Sequence, residues 1–143
     1  MRVRVAGFLK VNSAVLMVEH YKDGKAYWLL PGGGVNLGES AETALKRELK
    51  EELNLDCSVN DLLFVVESHN NNGDHIIQPT YLIGTGNIDL LARGTDKRIK
   101  SFAFLDQGKI DSSVIYPDIK QELKEYLVSN KINKRYINKK WID

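Results

Sequence analysis

Cysteine occurs once in this chain, at Cys57, so no intrachain disulfide and no cysteine-rich zinc site can be built from it. A reducing cytoplasm is the compartment that fits this usage. Long apolar runs are missing too. The N-terminal stretch is broken by Lys10 and Asn12, which leaves it too short for a signal peptide or a membrane span. The expectation is a protein that stays where it is made and has no membrane partner. Neither sign of charge dominates: 20 basic residues face 19 acidic ones, a net charge of +1, so no global field favours nucleic acid or an anionic lipid surface. A polyanionic ligand would need a local site.

What is present suits one domain spanning 1–143, since 143 residues suffice to bury a core. Val3 to Lys10, Ala14 to Glu19 and Tyr27 to Leu30 read as strands, and the apolar run Ala14 to Val18 implies burial on both faces. Leu62 to Glu67, Ile76 to Ile83 and Ile99 to Leu105 are further strand-like runs bounded by Asn, Gly and Asp, with Pro79 expected to mark an edge or a bulge. A helix is expected from about Pro117, with Ile119, Leu123, Tyr126 and Leu127 at helical spacing. Asn70 to Asp74 is a turn-rich loop, and Gly84 to Lys97 a longer one that could border a cleft. The basic residues from about 130 onward, Lys131, Lys134, Arg135, Lys139 and Lys140, read as a solvated tail. Strands interleaved with helices imply an α/β fold, a sheet covered by helices on its faces.

The chemistry is concentrated between Leu30 and Leu55. Leu30-Pro31-Gly32-Gly33-Gly34 precedes a helical segment capped by Ser40, with Glu42 in its first turn and Ala41, Leu45 and Leu49 as its apolar stripe. At 100° per residue, Glu48 and Glu52 lie about 40° apart and Glu51 about 60° to the other side of Glu48, so three carboxylates share one face. Ala44 lies on that face one turn earlier, where its small side chain leaves room for a ligand. Like charges at this spacing repel, and anions in the last turn oppose the helix dipole, at a cost of a few tenths of a kcal/mol each. Divalent cations would reverse that sign, because Mg²⁺ takes oxygen ligands and bridges carboxylates to phosphates. Lys46, Arg47 and Lys50 also allow a plain Glu/Lys surface.

Counting from Gly33, the chain reads Gly33, five residues, Glu39, seven residues, Arg47-Glu48-Leu49, one residue, Glu51-Glu52, one residue, Asn54-Leu55. This closely resembles the Nudix box, G-x5-E-x7-R-E-U-x-E-E-x-G-U with U aliphatic, of a family of metal-dependent pyrophosphohydrolases. Its one departure is Asn54 in place of the last glycine. Asn is the usual second choice for the left-handed residue past a helix, and Leu55 can then fold back onto Leu49.

The resemblance implies an α/β/α sandwich around a mixed sheet, Mg²⁺ (or Mn²⁺) on Glu48, Glu52 and Glu51, and a metal-facing carbonyl from Gly32 or Gly33. It makes Glu39 and Arg47 a structural salt bridge and draws the proton acceptor from Glu52, Glu51 or a carboxylate outside the box, here Asp89, Asp96 or Glu67. The activity implied is hydrolysis of a nucleoside diphosphate linked to another moiety. Nucleoside triphosphates and dinucleoside polyphosphates rank first, ADP-ribose-type sugars second, and capped RNA and a homodimer stay open. The alternative is a noncatalytic nucleotide-binding sensor. Arg4 is a candidate for a substrate phosphate, although a solvent-facing role suits it better. Phe8, Tyr27, Tyr81 and Phe104 are candidates to stack on a base. His20, His69 and His75 show no ligand spacing and read as ordinary surface or loop residues.

Overall fold

In the computed structural model, which describes residues 1–69 and 73–140, alternate residues of the apolar strands feed two separate cores. The strands are β1 (Arg2–Phe8), β2 (Lys10–Val11), β3 (Ala14–Lys22), β4 (Lys25–Leu29), β5 (Gly32–Gly34), β6 (Ser58–His69), β7 (His75–Gly84), β8 (Ser101–Leu105) and β9 (Tyr136–Lys140). The helices are α1 (Ala41–Leu53), α2 (Gln107–Ser112) and α3 (Lys120–Ser129), with a 3-10 turn at Ile88–Leu90. Along β3, Leu16 and Val18 join the core under α1, while Val15 and Met17 join the one under α2 and α3. That is the two-faced burial expected of the Ala14–Val18 run, and it makes the molecule a mixed sheet layer flanked by helices.

One sheet runs β5-β1-β7-β6-β9, and the other is built on β3, which pairs with β2, β4 and β8. In the first, β1 and β7 are parallel, while β5 lies antiparallel to β1 and β6 antiparallel to β7. The expected strand Val3–Lys10 is thus two strands, and of the expected loop Asn70–Asp74 residues 70–72 lie outside the described residues.

Three expectations need correction. Pro79 sits in central β7, not at an edge. Val65, opposite it on β6, sends its N–H outward to the Arg135 carbonyl, so this is a non-hydrogen-bonded pair and the missing Pro79 N–H falls on the β1 side. There the β1–β7 pairing lapses between Val3–Ile77 and Ala6–Thr80. The last helix starts at Lys120, three residues after Pro117: the Val114 carbonyl and the Tyr116 N–H pair with Trp28 of β4, and the Ile119 N–H turns back onto the Pro117 carbonyl before the helix begins. The basic C-terminal stretch is not simply a solvated tail either. Tyr136–Lys140 adds to β6 as a parallel edge strand, Ile137 is buried with Leu123 and Tyr126, and Lys139 lies 3.5 Å from the buried Glu122 carboxylate.

Candidate active site

The carboxylates sit on α1, whose ends are fixed by its own sequence. The Ser40 hydroxyl accepts the Thr43 N–H at 3.1 Å. At the other end Asn54 is left-handed (φ 56°, ψ 31°), with its N–H shared between the Leu49 and Lys50 carbonyls and the Leu55 N–H on that of Leu49, a left-handed cap of the kind that Asn, like glycine, permits. Leu45, Leu49 and Leu53 are fully buried, and so is Ala44, whose small side chain serves packing against the sheet instead of leaving room for a ligand.

Glu48 and Glu52 are only 6% and 2% exposed, which marks them out, because buried carboxylates are costly unless paired or bound to a cation. Burial pushes the Glu48 carboxyl up from its ordinary range and raises Glu52 to about 8. Glu51, expected beside them, points away: its side chain is half exposed and its carboxylate lies 3.4 Å from Arg47.

The glycines explain how two carboxylates fit here. β5 lies against β1 with Gly32 opposite Ala6 and Gly33 opposite Val5. Gly32 has φ +152°, and a Cβ on it would lie 1.9 Å from the Val5 carbonyl oxygen, so only glycine can occupy the position. Its N–H donates to Glu52 Oε1 at 2.8 Å. A Cβ on Gly33 would lie 2.3 Å from Glu48 Cδ, so the Glu48 carboxylate occupies the space that a side chain would take.

The third carboxylate comes from outside the motif. The loop between β7 and β8 docks on the last turn of α1, whose unpaired carbonyls accept its amides: Ala92 N–H on Leu53, Gly94 N–H on Glu52 and Thr95 N–H on Glu51, at 2.8 to 3.1 Å. A Cβ on Gly94 would stand 2.0 Å from the Glu51 carbonyl oxygen. This docking delivers Asp96, and carboxylate oxygens of Glu48, Glu52 and Asp96 lie within 4.8 Å of one another. Asp96 was one of three carboxylates open outside the box. Asp89 and Glu67 lie in other parts of the fold, the former in the 3-10 turn and the latter on β6.

Cations hold this arrangement. Arg47 reaches both oxygens of Glu39 (2.9 and 3.0 Å), the Gly34 carbonyl (3.0 Å) and Glu48 Oε1 (3.0 Å), fixing the glycine strand, the loop and the helix together. The Arg47 hydrogen bonds and the Asn36 N–H bring the Glu39 carboxyl down to about 2. Arg4 does not face solvent. Its guanidinium donates to Gln78 Oε1 and the Leu30 carbonyl, both at 2.9 Å, in the field of Glu52 and Glu48, while burial lowers its pKa. Arg98 grips Asp96 through Nε and a terminal nitrogen at 3.1 and 2.8 Å and holds its carboxyl low.

The donor set fits a hard divalent cation. All three groups offer oxygen, and Glu48 Oε2 is buried with no hydrogen-bond partner among the described residues, the state in which a ligand atom waits for a metal. Beside the cluster opens a cavity of about 510 Å³ lined by His20, Tyr27, Lys97, Arg98 and Lys100 among others. Tyr27 stacks on Tyr116 with ring centroids 4.7 Å apart. Of the aromatic candidates, Tyr27 lines this cavity. Phe8 is fully buried edge-on to Tyr126, and Tyr81 and Phe104 pack against the α1 core. Arg98, Gln78 and His20 were not legible as site residues, because strand register and loop docking alone bring them here. His69 and His75, read as ordinary surface or loop residues without ligand spacing, lie on strands, where the β6–β7 register sets them opposite each other.

Comparison with known proteins agrees with this geometry. A profile of the NUDIX domain matches residues 1–122. The human 8-oxo-dGDP phosphatase NUDT18 is 39% identical over 66 residues, 46% of this chain and 20% of that protein. The ADP-ribose pyrophosphatase of Methanocaldococcus jannaschii is 30% identical over 102 residues, 70% of this chain and 60% of that protein, so the chain spans less than two thirds of either relative. A NUDIX hydrolase from Nitrosomonas europaea shares the fold with a TM-score of 0.75 at 21% identity, over 92% of this chain and 90% of that one. With the glycine strand, the capped helix and its buried glutamates in the places that the motif requires, and a domain profile across most of its length, the chain belongs to the NUDIX family.

Proposed function

We propose that this protein is a Mg²⁺-dependent pyrophosphohydrolase that cleaves a nucleoside diphosphate linked to another moiety. One observation carries the reading: carboxylate oxygens of Glu48, Glu52 and Asp96 lie within 4.8 Å of one another, and Glu48 Oε2 is buried with no hydrogen-bond partner among the described residues. A bound Mg²⁺ would supply neutralisation of the pyrophosphate oxygens and a water of lowered pKa. The protein's part is geometry. Gly32 and Arg47 orient Glu52 and Glu48, the docked loop orients Asp96, and a carboxylate of this cluster takes the proton of the attacking water. Glu51, first grouped with them, acts on this reading through its carbonyl, which anchors the loop.

The cavity supports a polyphosphate. Arg93, Lys97, Arg98 and Lys100 line one wall near the cluster, and Tyr27 offers a ring to a base. Arg98 is held on Asp96 and Lys100 lies over the Tyr21 ring, so Arg93 and Lys97 are the cations that would meet the outer phosphates, which favours a nucleoside triphosphate or dinucleoside polyphosphate over a single diphosphate bridge. The relatives' names divide between an oxidised nucleotide and ADP-ribose, and so leave ADP-ribose-type sugars as the second class.

The test is product analysis of nucleoside triphosphates, dinucleoside polyphosphates and ADP-ribose with Mg²⁺ or EDTA. Metal-dependent cleavage at a phosphoric anhydride, fastest with the longer polyphosphates, is the expected result. Saturable nucleotide binding with no turnover of any compound would replace this reading by a noncatalytic sensor.

A further inference from the structure

At the mouth of the β6–β7 hairpin the register collects three metal-ligating side chains away from the carboxylate cluster. His69 and His75 are directly opposite across the antiparallel pair, and Glu67, two residues before His69 on β6, shares its sheet face. The imidazole centroids are 4.1 Å apart and inclined by 33°. His75 Nε2 lies 2.6 Å from Glu67 Oε2, and one ligand atom from each of the three residues lies within 4.8 Å of the others. Glu67 is held from a third strand, because the Tyr136 hydroxyl on β9 hydrogen-bonds its carboxylate.

We infer that Glu67, His69 and His75 form a second metal site, selective for Zn²⁺ and similar borderline divalent ions. Two imidazole nitrogens and one carboxylate oxygen are a three-ligand zinc set with a fourth position left for water. Mg²⁺ prefers oxygen, so the same set rejects the ion that suits the Glu48/Glu52/Asp96 cluster. Ligand atoms around tetrahedral zinc stand about 3.4 Å apart at bond lengths of about 2.1 Å. To reach that spacing His75 Nε2 and Glu67 Oε2, now 2.6 Å apart, must part slightly, and His69, exposed on the surface, can turn its ring to complete the set. The Tyr136–Glu67 bond supplies the outer-shell support that orients a ligating carboxylate. A bound ion would tie β6 to β7 and, through Tyr136, to the C-terminal strand. The site does not depend on the hydrolase reading.

The experiment uses untagged full-length protein stripped with chelator and titrated with Co²⁺ and then Zn²⁺ in excess Mg²⁺. The expected result is one equivalent of Co²⁺ with the visible absorption of a tetrahedral or five-coordinate nitrogen and oxygen site, displaced by Zn²⁺. The His69→Ala/His75→Ala double variant loses this band, whereas Glu52→Gln keeps it. Histidine side-chain ¹⁵N spectra of the wild type should show the ring nitrogens of His69 and His75 moving with Zn²⁺ while that of His20 stays. Unchanged Co²⁺ uptake in the double variant, loss of uptake in Glu52→Gln, or an unmoved His69 and His75 would each overturn the assignment.

Discussion

Gly33→Ala isolates the geometry of the site from its charge. Gly33 lies outside the left-handed region, so alanine suits its backbone and the strain is local. The new methyl carbon would stand 2.3 Å from Glu48 Cδ, against roughly 3.5 Å for an ordinary carbon contact, so the carboxylate must retreat by about 1.2 Å. That is more than half of a Mg–O bond of about 2.1 Å. A misplacement of about 1 Å in a reacting assembly costs on the order of 10²-fold in rate, and overpacking of this kind costs about 1–3 kcal/mol of stability. The variant should therefore fold and lose about 10²-fold in kcat/KM on the best substrate of the panel. Gly34→Ala is the control, because a Cβ there meets nothing within 4 Å, and it should stay within about threefold of wild type. Gly33→Ala within threefold of wild type, or an equal fall in Gly34→Ala, would refute the claim that Glu48 needs the space over this glycine.

The loop makes a parallel prediction: Gly94→Ala puts a methyl 2.0 Å from the Glu51 carbonyl oxygen, so it should undock residues 91–96, speed amide exchange there and lower activity, and unchanged exchange would contradict this. Asn54→Gly should keep the helix end, within about 1 kcal/mol in chemical denaturation, since glycine favours the left-handed cap while the 3.2 Å bond from Asn54 Nδ2 to Leu90 is lost. Without metal, the folded Glu52 keeps its proton up to about pH 8 while the unfolded chain releases it near pH 4.5. Because the folded state then binds more protons, stability in EDTA should fall as pH rises between those values, with Glu52 contributing up to about 1.4 kcal/mol per unit. Denaturation of Glu52→Gln over the same range should show a flatter dependence, and an identical slope would remove Glu52 as the cause.

The sequence revealed what is local in the chain and concealed what depends on register. Ser40, the Leu45–Leu49 stripe, Glu48, Glu52 and the Glu39–Arg47 pair are legible because cap, period and motif spacing act within one helix and its preceding loop. Asn54 was legible for the same reason. Asp96 could be named only as one of three carboxylates outside the box, since it reaches the site only when a loop some forty residues downstream satisfies the last carbonyls of α1. The placement of Arg4 depends on Gln78 of β7 and on Leu30, partners that no periodicity brings together. β9 escaped because charge dominates the composition of its segment, while Ile137 and the free edge of β6 decide its structure.

The most direct test of the account compares wild type with Glu52→Gln for nucleotide binding and for Mg²⁺-dependent turnover on the same substrate. Glutamine retains an oxygen for the Gly32 N–H and removes the negative charge, so the fold and the basic cavity are preserved. The account predicts a fall in kcat of at least about 10²-fold with binding retained. Turnover in the variant within a few-fold of wild type, at the same Mg²⁺ concentration, would contradict it.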